Sequence, residues 1–167
     1  MIIFKSDKEI AAARECGRLL SGILGELISR VVPGVTTGEL DALAERRMRE
    51  AGGEPSFKGY KTPGDPVAFP SSVCTSINNE VVHAPADPSR PVKEGDLLKL
   101  DIGMRYKGMC TDMAVTVPVG AVSDDARRLI AATRESLMLG VGKCVRGGWI
   151  SDIGKAKNEF DWAPPIS

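Results

Sequence analysis

Three stretches of the chain repeat apolar residues at helical spacing, each behind a residue that caps a helix. Ser6 with Glu9, and Thr36 with Glu39, form the capping-box pattern, and Ser123 caps the third stretch. The pattern therefore predicts three amphipathic helices. Their apolar positions are Ile10, Ala13, Gly17, Leu20, Leu24, Leu27 and Ile28 before Pro33; Leu40, Leu43, Ala44 and Met48 before Gly52 and Gly53; and Ala126, Leu129, Ile130, Thr133, Leu137 and Val141 before the glycines around Gly147.

Apolar and polar residues alternate in two later runs, which predicts strands over Leu97–Met104 and Met109–Val117. Two shorter strands are predicted at Val73–Ile77 and Glu80–Val82, around an Asn-Asn turn. Proline and glycine interrupt residues 54–70, so this stretch is expected to form an irregular surface loop. The pattern as a whole predicts helices together with an antiparallel hairpin.

The hairpin brings two aspartates together. If Tyr106 and Lys107 form a two-residue turn, Asp101 and Asp112 lie directly opposite each other with Cβ atoms roughly 5 Å apart. If Gly108 is instead the left-handed residue of a three-residue loop with a bulge, the register shifts by about one position.

Two carboxylates this close on a half-buried sheet repel each other unless one is protonated or a cation lies between them. The alternative is a solvated sheet face on which the two acids have no role. Small or short neighbours favour a binding site, and a divalent metal is the expected cation. These neighbours on the same face are Gly103, Cys110, Ala114 and Thr116.

Composition narrows the class of protein. The 167 residues suit one domain, and 22 basic residues balance 22 acidic ones, so no overall charge attracts nucleic acid or an anionic membrane. The N-terminus predicts neither a secretory signal nor a membrane span, so a cytoplasmic location is expected. The 4 cysteines form no CxxC or Cys/His cluster, which argues against a zinc ribbon or a disulfide framework.

Two longer runs carry a family resemblance: PSSVCTSINNEVVHAP at 70–85 and LLKLDIGMRYKGMCTDMAVTVPVG at 97–120. With the segments EIAAARECGRLL, PGVTTGELD and ISDIGKA, they resemble bacterial type I methionine aminopeptidases of the M24 peptidase family. The likeness covers residues 1–156 and leaves 157–167 as an unmatched tail. It implies an α+β fold, the N-terminal half of the pita-bread fold, with helices packed on one face of an antiparallel sheet.

The resemblance also assigns roles to single residues. Asp101 would be a bidentate ligand of one metal and Asp112 would bridge two. His83, the only histidine, would contact the substrate near the scissile amide and stabilise charge or pass a proton; without the resemblance, it is a surface residue in a proline-rich link. The methionine side chain would lie among Phe57, Tyr60, Phe69 and Cys74. For Phe57 and Phe69, packing onto a small core is an equal alternative.

The implied reaction is hydrolysis of the first peptide bond of a peptide or nascent protein, assisted by two divalent ions such as Co, Mn, Fe or Zn. The family's remaining ligands, one histidine and two glutamates, would follow residue 156, and no histidine follows His83. A fourth helix is predicted to start near Ser151, and two prolines in the tail prevent any helix from continuing there. We therefore expect a truncated or reading-frame-altered enzyme that binds metal weakly and is inactive unless complemented, by self-association or by a separate C-terminal half.

Two other classes of protein stay open at this point. One is a non-catalytic pita-bread module that binds nascent chains or ribosomes, against which the joint presence of Asp101, Asp112 and His83 argues. The other is a small metal-binding α+β domain that needs no further part.

Overall fold

The computed structural model describes residues 4–155, which divide into one compact unit within Met1–Ala121 and a second within Val122–Ser167. The predicted tail at 157–167 lies outside the described residues. In the first unit the elements are α1 (Asp7–Arg30), α2 (Thr37–Glu50), β1 (Glu54–Pro55), β2 (Val73–Ile77), β3 (Leu97–Tyr106) and β4 (Met109–Pro118). The second unit contains α3 (Asp124–Gly142) and α4 (Ile150–Lys155).

The first two helices begin where their sequences predict. The Ser6 hydroxyl accepts the amide of Glu9, while the Glu9 carboxylate accepts the amide of Ser6 at 2.7 Å. Thr36 and Glu39 repeat this reciprocal pair at the start of α2. Both predicted capping boxes are confirmed, and each satisfies amide groups that the first helical turn leaves without a partner.

The sheet is antiparallel and is built around β3. One edge of β3 pairs along its whole length with β4. The other edge pairs first with β2 and then, further along, with the two residues of β1. Residues on β3 therefore have neighbours on both sides, and alternate side chains point to opposite faces.

One face of β3 forms the core with α1 and α2. Leu98, Leu100, Ile102 and Met104 are fully buried, as the alternation predicts. They pack in one cluster with residues of both helices, so the predicted arrangement of helices on one face of an antiparallel sheet is confirmed. The helix residues of this cluster are Cys16, Leu20, Ile23, Leu24, Leu27, Leu40, Ala44 and Met48. Asp101 lies on the opposite face of β3 from this cluster.

The predicted strand at Glu80–Val82 is wrong. Its valines are mostly exposed, and the backbone bond to the middle of β2 comes after them, where the amide of Thr75 donates to the Ala84 carbonyl. A tight turn is closed instead by the Glu80 carboxylate, which accepts the amide of Ile77 at 2.6 Å. Because the backbone amide and carbonyl of Ile77 are bonded to Glu80 within this turn, they are not available to pair with a following strand.

The second unit differs in part from the prediction. Ser123 caps α3 as expected, but the helix ends at Gly142 and not near Gly147. Much of its predicted apolar stripe is exposed, and the buried positions are Ala132 and Gly140. The described partner of α3 in this unit is the short α4, whose Ile153 side chain lies next to Gly140. Across residues 4–155 no helix is long and apolar enough to cross a membrane.

Candidate active site

The two aspartates lie on the same face of the β3–β4 hairpin, but not opposite each other. Asp101 pairs with Ala114, and Asp112 pairs with Gly103, which makes the two acids diagonal neighbours. Diagonal positions on such a face are separated by roughly 7–8 Å. The predicted direct opposition is therefore wrong, although the shared face was predicted correctly.

The turn explains the difference. Lys107 and Gly108 form it, both with positive φ (48° and 78°), which is the type I′ geometry preferred in two-residue hairpins. Moving the turn one residue along the chain shifts every cross-strand pair by two positions. Because side chains alternate with a period of two, a shift of two leaves both acids on one face.

Asp101 is held in an environment that disfavours an isolated charge. Its Oδ1 is buried and has no hydrogen-bond partner among the described residues. Burial raises the pKa of Asp101, the charge of Asp112 raises it further, and the charge of His83 partly lowers it. Burial also raises the pKa of Asp112. A carboxylate oxygen without a donor, next to a second acid, has the chemistry of a cation ligand.

His83 reaches this face from the segment that follows β2. Its backbone is left-handed, with φ of 61°, which is uncommon for a residue other than glycine. On its C-terminal side the chain is tied to β2 by the Thr75–Ala84 hydrogen bond of 2.8 Å and by the bridge between Cys74 and Pro85. The exposed imidazole thus lines the same cavity as the two aspartates.

That cavity is an open cleft of about 790 Å³. Its wall comes largely from the loop between β1 and β2, where the amides of Gly59 and Phe69 bond across the loop to the carbonyls of Phe69 and Tyr60, each at 2.8 Å. Lys58 anchors the loop to α2 through the carboxylate of Glu45 at 2.6 Å. The structure brings every candidate residue named from the sequence to this cleft: Phe57, Tyr60, Phe69, Cys74, His83, Asp101 and Asp112.

The aromatic walls are only partly covered, and Tyr60 is 63% exposed. Cys74 is buried beside the acids, and burial raises the pKa of its thiol to about 11, with the charges of Asp101 and Asp112 adding to the shift. At neutral pH this thiol is protonated. It therefore behaves as a small apolar wall of the cleft, not as a nucleophile.

Sequence reasoning missed part of the lining. Asp65 is an additional acid at the cleft, and its carboxylate accepts the amide and hydroxyl of Thr62, both at 2.6 Å, which lowers its pKa. The Thr-x-x-Asp spacing in the loop is the signal that indicates this turn. The other missed lining residues are Ser56, Pro66, Val67, Ala68 and Pro70, which carry no periodic pattern.

The donor set fits a metal only in part. Within residues 4–155, no group of three histidine, cysteine, aspartate or glutamate side chains is placed to hold a metal ion. Asp101 and Asp112 offer carboxylate oxygens on one face, and the unpartnered Oδ1 of Asp101 suits a cation. Two carboxylates alone supply fewer ligands than the catalytic sites of divalent metals normally have.

Comparison with known proteins decides the family. The model of metallopeptidase family M24 matches residues 11–164. The chain belongs to this M24 family.

The similarity of this M24 chain extends to named enzymes. It is 40% identical over 160 residues to the methionine aminopeptidase of Clostridium acetobutylicum, a match that covers 96% of the chain and 62% of that enzyme. The methionine aminopeptidase of Thermotoga maritima superposes with a TM-score of 0.79 at 31% identity, over 87% of this chain and 55% of that one. A streptococcal methionine aminopeptidase gives a TM-score of 0.84 at 28% identity, over 96% of this chain and 66% of that one.

These matches confirm the resemblance inferred from the sequence and the pita-bread type of fold. The chain spans about 62% of the length of the curated Clostridium relative that it matches.

Proposed function

We propose that this chain contributes part of a metal-dependent aminopeptidase site that removes methionine from the N-terminus of peptides and nascent proteins. The observation that carries the proposal is the buried, unpartnered Oδ1 of Asp101, which lies on the same face as Asp112 in a cleft that His83 also lines. Membership of the M24 family supports a hydrolase, and the matched relatives are methionine aminopeptidases by name.

Asp101 and Asp112 are proposed as the ligands of divalent metal, with Co, Mn, Fe or Zn as candidates. When bound, a pair of such ions lowers the pKa of water and polarises the carbonyl of the scissile bond. The contribution of the two carboxylates is to offset the positive charge and to fix its place on the rigid β3–β4 hairpin. Their cross-strand partners on this face are the small residues Gly103 and Ala114.

His83 is proposed as the residue that acts on the substrate amide. Its side chain lines the cleft together with Asp101 and Asp112, close enough for its charge to affect the pKa of Asp101. An imidazole nitrogen can donate a hydrogen bond to the carbonyl oxygen or pass a proton to the departing amine. The left-handed backbone at this residue supports such a role, since uncommon backbone conformations collect at functional sites.

The side chain of the first residue is proposed to lie among Phe57, Tyr60, Phe69 and Cys74, which share the cleft with the acids. Aromatic faces and a protonated thiol suit a flexible thioether, which makes favourable contacts with both. The cleft is open on this side, in agreement with a substrate that enters by its N-terminus and leaves its remaining chain in solvent.

We further propose that the 167 residues bind metal weakly and need a complementing chain or a second copy for turnover. The chain holds a single histidine, and its described residues contain no group of three metal ligands. Exposed apolar side chains on α3 and α4, among them Leu137, Met138 and Ile150, support such an association. Light scattering after gel filtration tests it, and a compact monomer at all concentrations would favour a small stand-alone metal-binding domain.

Turnover of a methionyl tripeptide with added Co or Mn tests the function. The purified chain alone is expected to show no robust activity. Activity is expected when the chain is combined with the part of the Clostridium acetobutylicum enzyme that the match leaves uncovered, and to be lost in Asp101→Asn and Asp112→Asn. Asp125→Asn, an exposed acid on α3, is the matched control. Robust turnover by the chain alone would refute the proposed incompleteness.

The alternative of a non-catalytic binding module is not supported, since the matched relatives are enzymes by name.

A further inference from the structure

The segment that carries His83 lacks the ladder of hydrogen bonds that holds a strand. After β2 the chain turns at Asn78, and Val81 and Val82 are 78% and 59% exposed. Thus the hydrophobic core does not hold the three residues before His83. Something else has to fix this segment if the imidazole is to keep one place at the cleft.

Arg90 provides this fixing contact on both sides of His83. Its Nη1 donates to Glu80 Oε1 at 2.8 Å, three residues before the histidine. Its Nη2 donates to the Pro85 carbonyl at 3.1 Å, two residues after the histidine, and to the Thr75 carbonyl of β2 at 2.6 Å. One planar guanidinium therefore ties both ends of the His83 segment to the same strand.

The carboxylate of Glu80 strengthens this arrangement. While Oε1 pairs with Arg90, Oε2 accepts the amide of Ile77 at 2.6 Å. The Glu80 and Arg90 side chains are 38% and 28% exposed, so water screens the pair only in part. The ion pair thus joins the turn after β2 to the guanidinium.

The backbone of Arg90 is itself anchored to the start of α2. Its carbonyl accepts the amide of Thr37 at 3.0 Å, and the fully buried Thr37 hydroxyl bonds both the amide and the carbonyl of Asp87. The neighbouring Pro91 forms a bridge with Thr36. The backbone of Arg90 is therefore held by the first turn of a core helix, which is separate from the Glu80–Pro85 segment that the guanidinium contacts.

We propose that Arg90 is a positioning residue, whose guanidinium holds the Glu80–Pro85 segment on β2 and thereby places His83 at the cleft of Asp101 and Asp112. This inference rests on the proposed function of His83. A lysine at position 90 cannot fully replace Arg90, because a single ammonium group cannot reproduce the fork geometry with which the guanidinium reaches Glu80, Thr75 and Pro85.

The test uses the intact chain and compares Arg90→Ala, Arg90→Lys and Glu80→Gln with the wild type. Arg47→Ala is the matched control, since Arg47 is a partly exposed arginine that pairs with Glu26 through two bonds of 2.8 Å far from the cleft. The first measurement is amide hydrogen exchange by NMR without metal. In Arg90→Ala, the amides of Thr75 and Ala84 are expected to exchange at least about tenfold faster, because the segment opens locally.

The second measurement follows the imidazole C–H signal of His83, which is unambiguous because the chain has one histidine. Mn²⁺ is expected to broaden this signal in the wild type and to broaden it less in Arg90→Ala, with Arg90→Lys and Glu80→Gln in between. Arg47→Ala is expected to match the wild type in both measurements.

Unchanged exchange at Thr75 and Ala84 together with an unchanged His83 signal in Arg90→Ala would overturn the proposal. If Arg90→Ala unfolds, the same two measurements on Arg90→Lys and Glu80→Gln decide, and wild-type behaviour of both variants would overturn the proposal. Equal Mn²⁺ broadening in wild type and Asp101→Asn would instead contradict the proposed metal site, and the metal-free exchange would still decide the role of Arg90.

Discussion

At the scale of single residues, the cleft depends on carboxylates that burial disfavours. Asp41 shows how such a group is used structurally. Its Oδ1 accepts the amides of Ser72 and Val73 at 2.7 and 2.9 Å and so fixes the start of β2, beside Cys74. Burial nevertheless raises the pKa of Asp41 above its ordinary value. Burying the negative charge of Asp41 therefore opposes folding, while the two hydrogen bonds that its Oδ1 accepts stabilise the fold.

This conflict predicts a pH dependence. Because the native state keeps the proton of Asp41 where the unfolded chain has lost it, the contribution of Asp41 to stability falls as pH rises from about 4 through the raised pKa. Asp41→Asn keeps an acceptor without the charge, so its stability relative to wild type is expected to increase over this pH range. Asp41→Ala leaves the amides of Ser72 and Val73 without their acceptor and is expected to lower the free energy of unfolding by about 1–3 kcal/mol. Urea unfolding across pH measures both, and parallel curves for wild type and Asp41→Asn would contradict the argument.

Gly103 is a residue whose lack of a side chain shapes the cleft. A Cβ at this position would lie 2.3 Å from Ser56 Oγ and 2.8 Å from the ring of Phe57, both of which line the cleft. Gly103→Ala is therefore expected to cost about 1–3 kcal/mol of unfolding free energy and to displace the Phe57 ring. Gly17→Ala is the control, since its nearest neighbour lies at 3.9 Å. Equal stabilities of the two variants in denaturant unfolding would refute this.

At the scale of elements, the hairpin turn sets the register that places Asp101 and Asp112. Gly108 has φ of 78° with open space around its Cα, so strain and not a clash is the reason for glycine. Gly108→Ala is expected to cost about 1–2 kcal/mol, the penalty of a left-handed alanine. Gly22→Ala, on the exposed side of α1 and also in open space, is expected to gain about 0.5–1 kcal/mol. Thermal unfolding compares them, and a neutral Gly108→Ala would contradict the assigned turn.

Elements with strong local signals were predictable from the sequence. The boxes at Ser6 and Thr36 depend on residues three positions apart, and the alternation of β3 states directly which face is buried. The register was not predictable, because Lys107 has no preference for positive φ that would mark it as a turn residue. The strand predicted at Glu80–Val82 failed for a different reason: Val81 and Val82 suit a strand by residue type, but both are exposed and this segment pairs with no strand among the described residues.

The cleft residues Phe57, Tyr60, Phe69, Cys74 and His83 were found by resemblance, whereas the alternation of the hairpin was enough to place Asp101 and Asp112 on one face. Tyr60 and Phe69 come together through backbone bonds across an irregular loop, and no periodicity in the sequence predicts such pairing. Arg90 was missed for a related reason, because its partners Glu80, Thr75 and Pro85 are defined by tertiary contacts. Burial of the opposite face of β3, in contrast, was evident from alternation alone.

At the scale of the whole molecule, the core belongs to the first unit. Every member of the buried cluster lies between Cys16 and Val119. Residues 1–121 expressed alone are therefore expected to unfold in one cooperative transition, because small domains with a continuous core do so. Circular dichroism during heating measures this. A gradual, non-cooperative loss of signal would show that the cluster is not sufficient for a stable fold.

The central claim is that Asp101 and Asp112 together bind a divalent metal. Isothermal titration of the 167-residue chain with Mn²⁺ near neutral pH tests it most directly. We expect weak but measurable binding that is at least about tenfold weaker in Asp101→Asn and in Asp112→Asn, and unchanged in Asp125→Asn. Equal Mn²⁺ affinity in the wild type and all three variants would contradict the account.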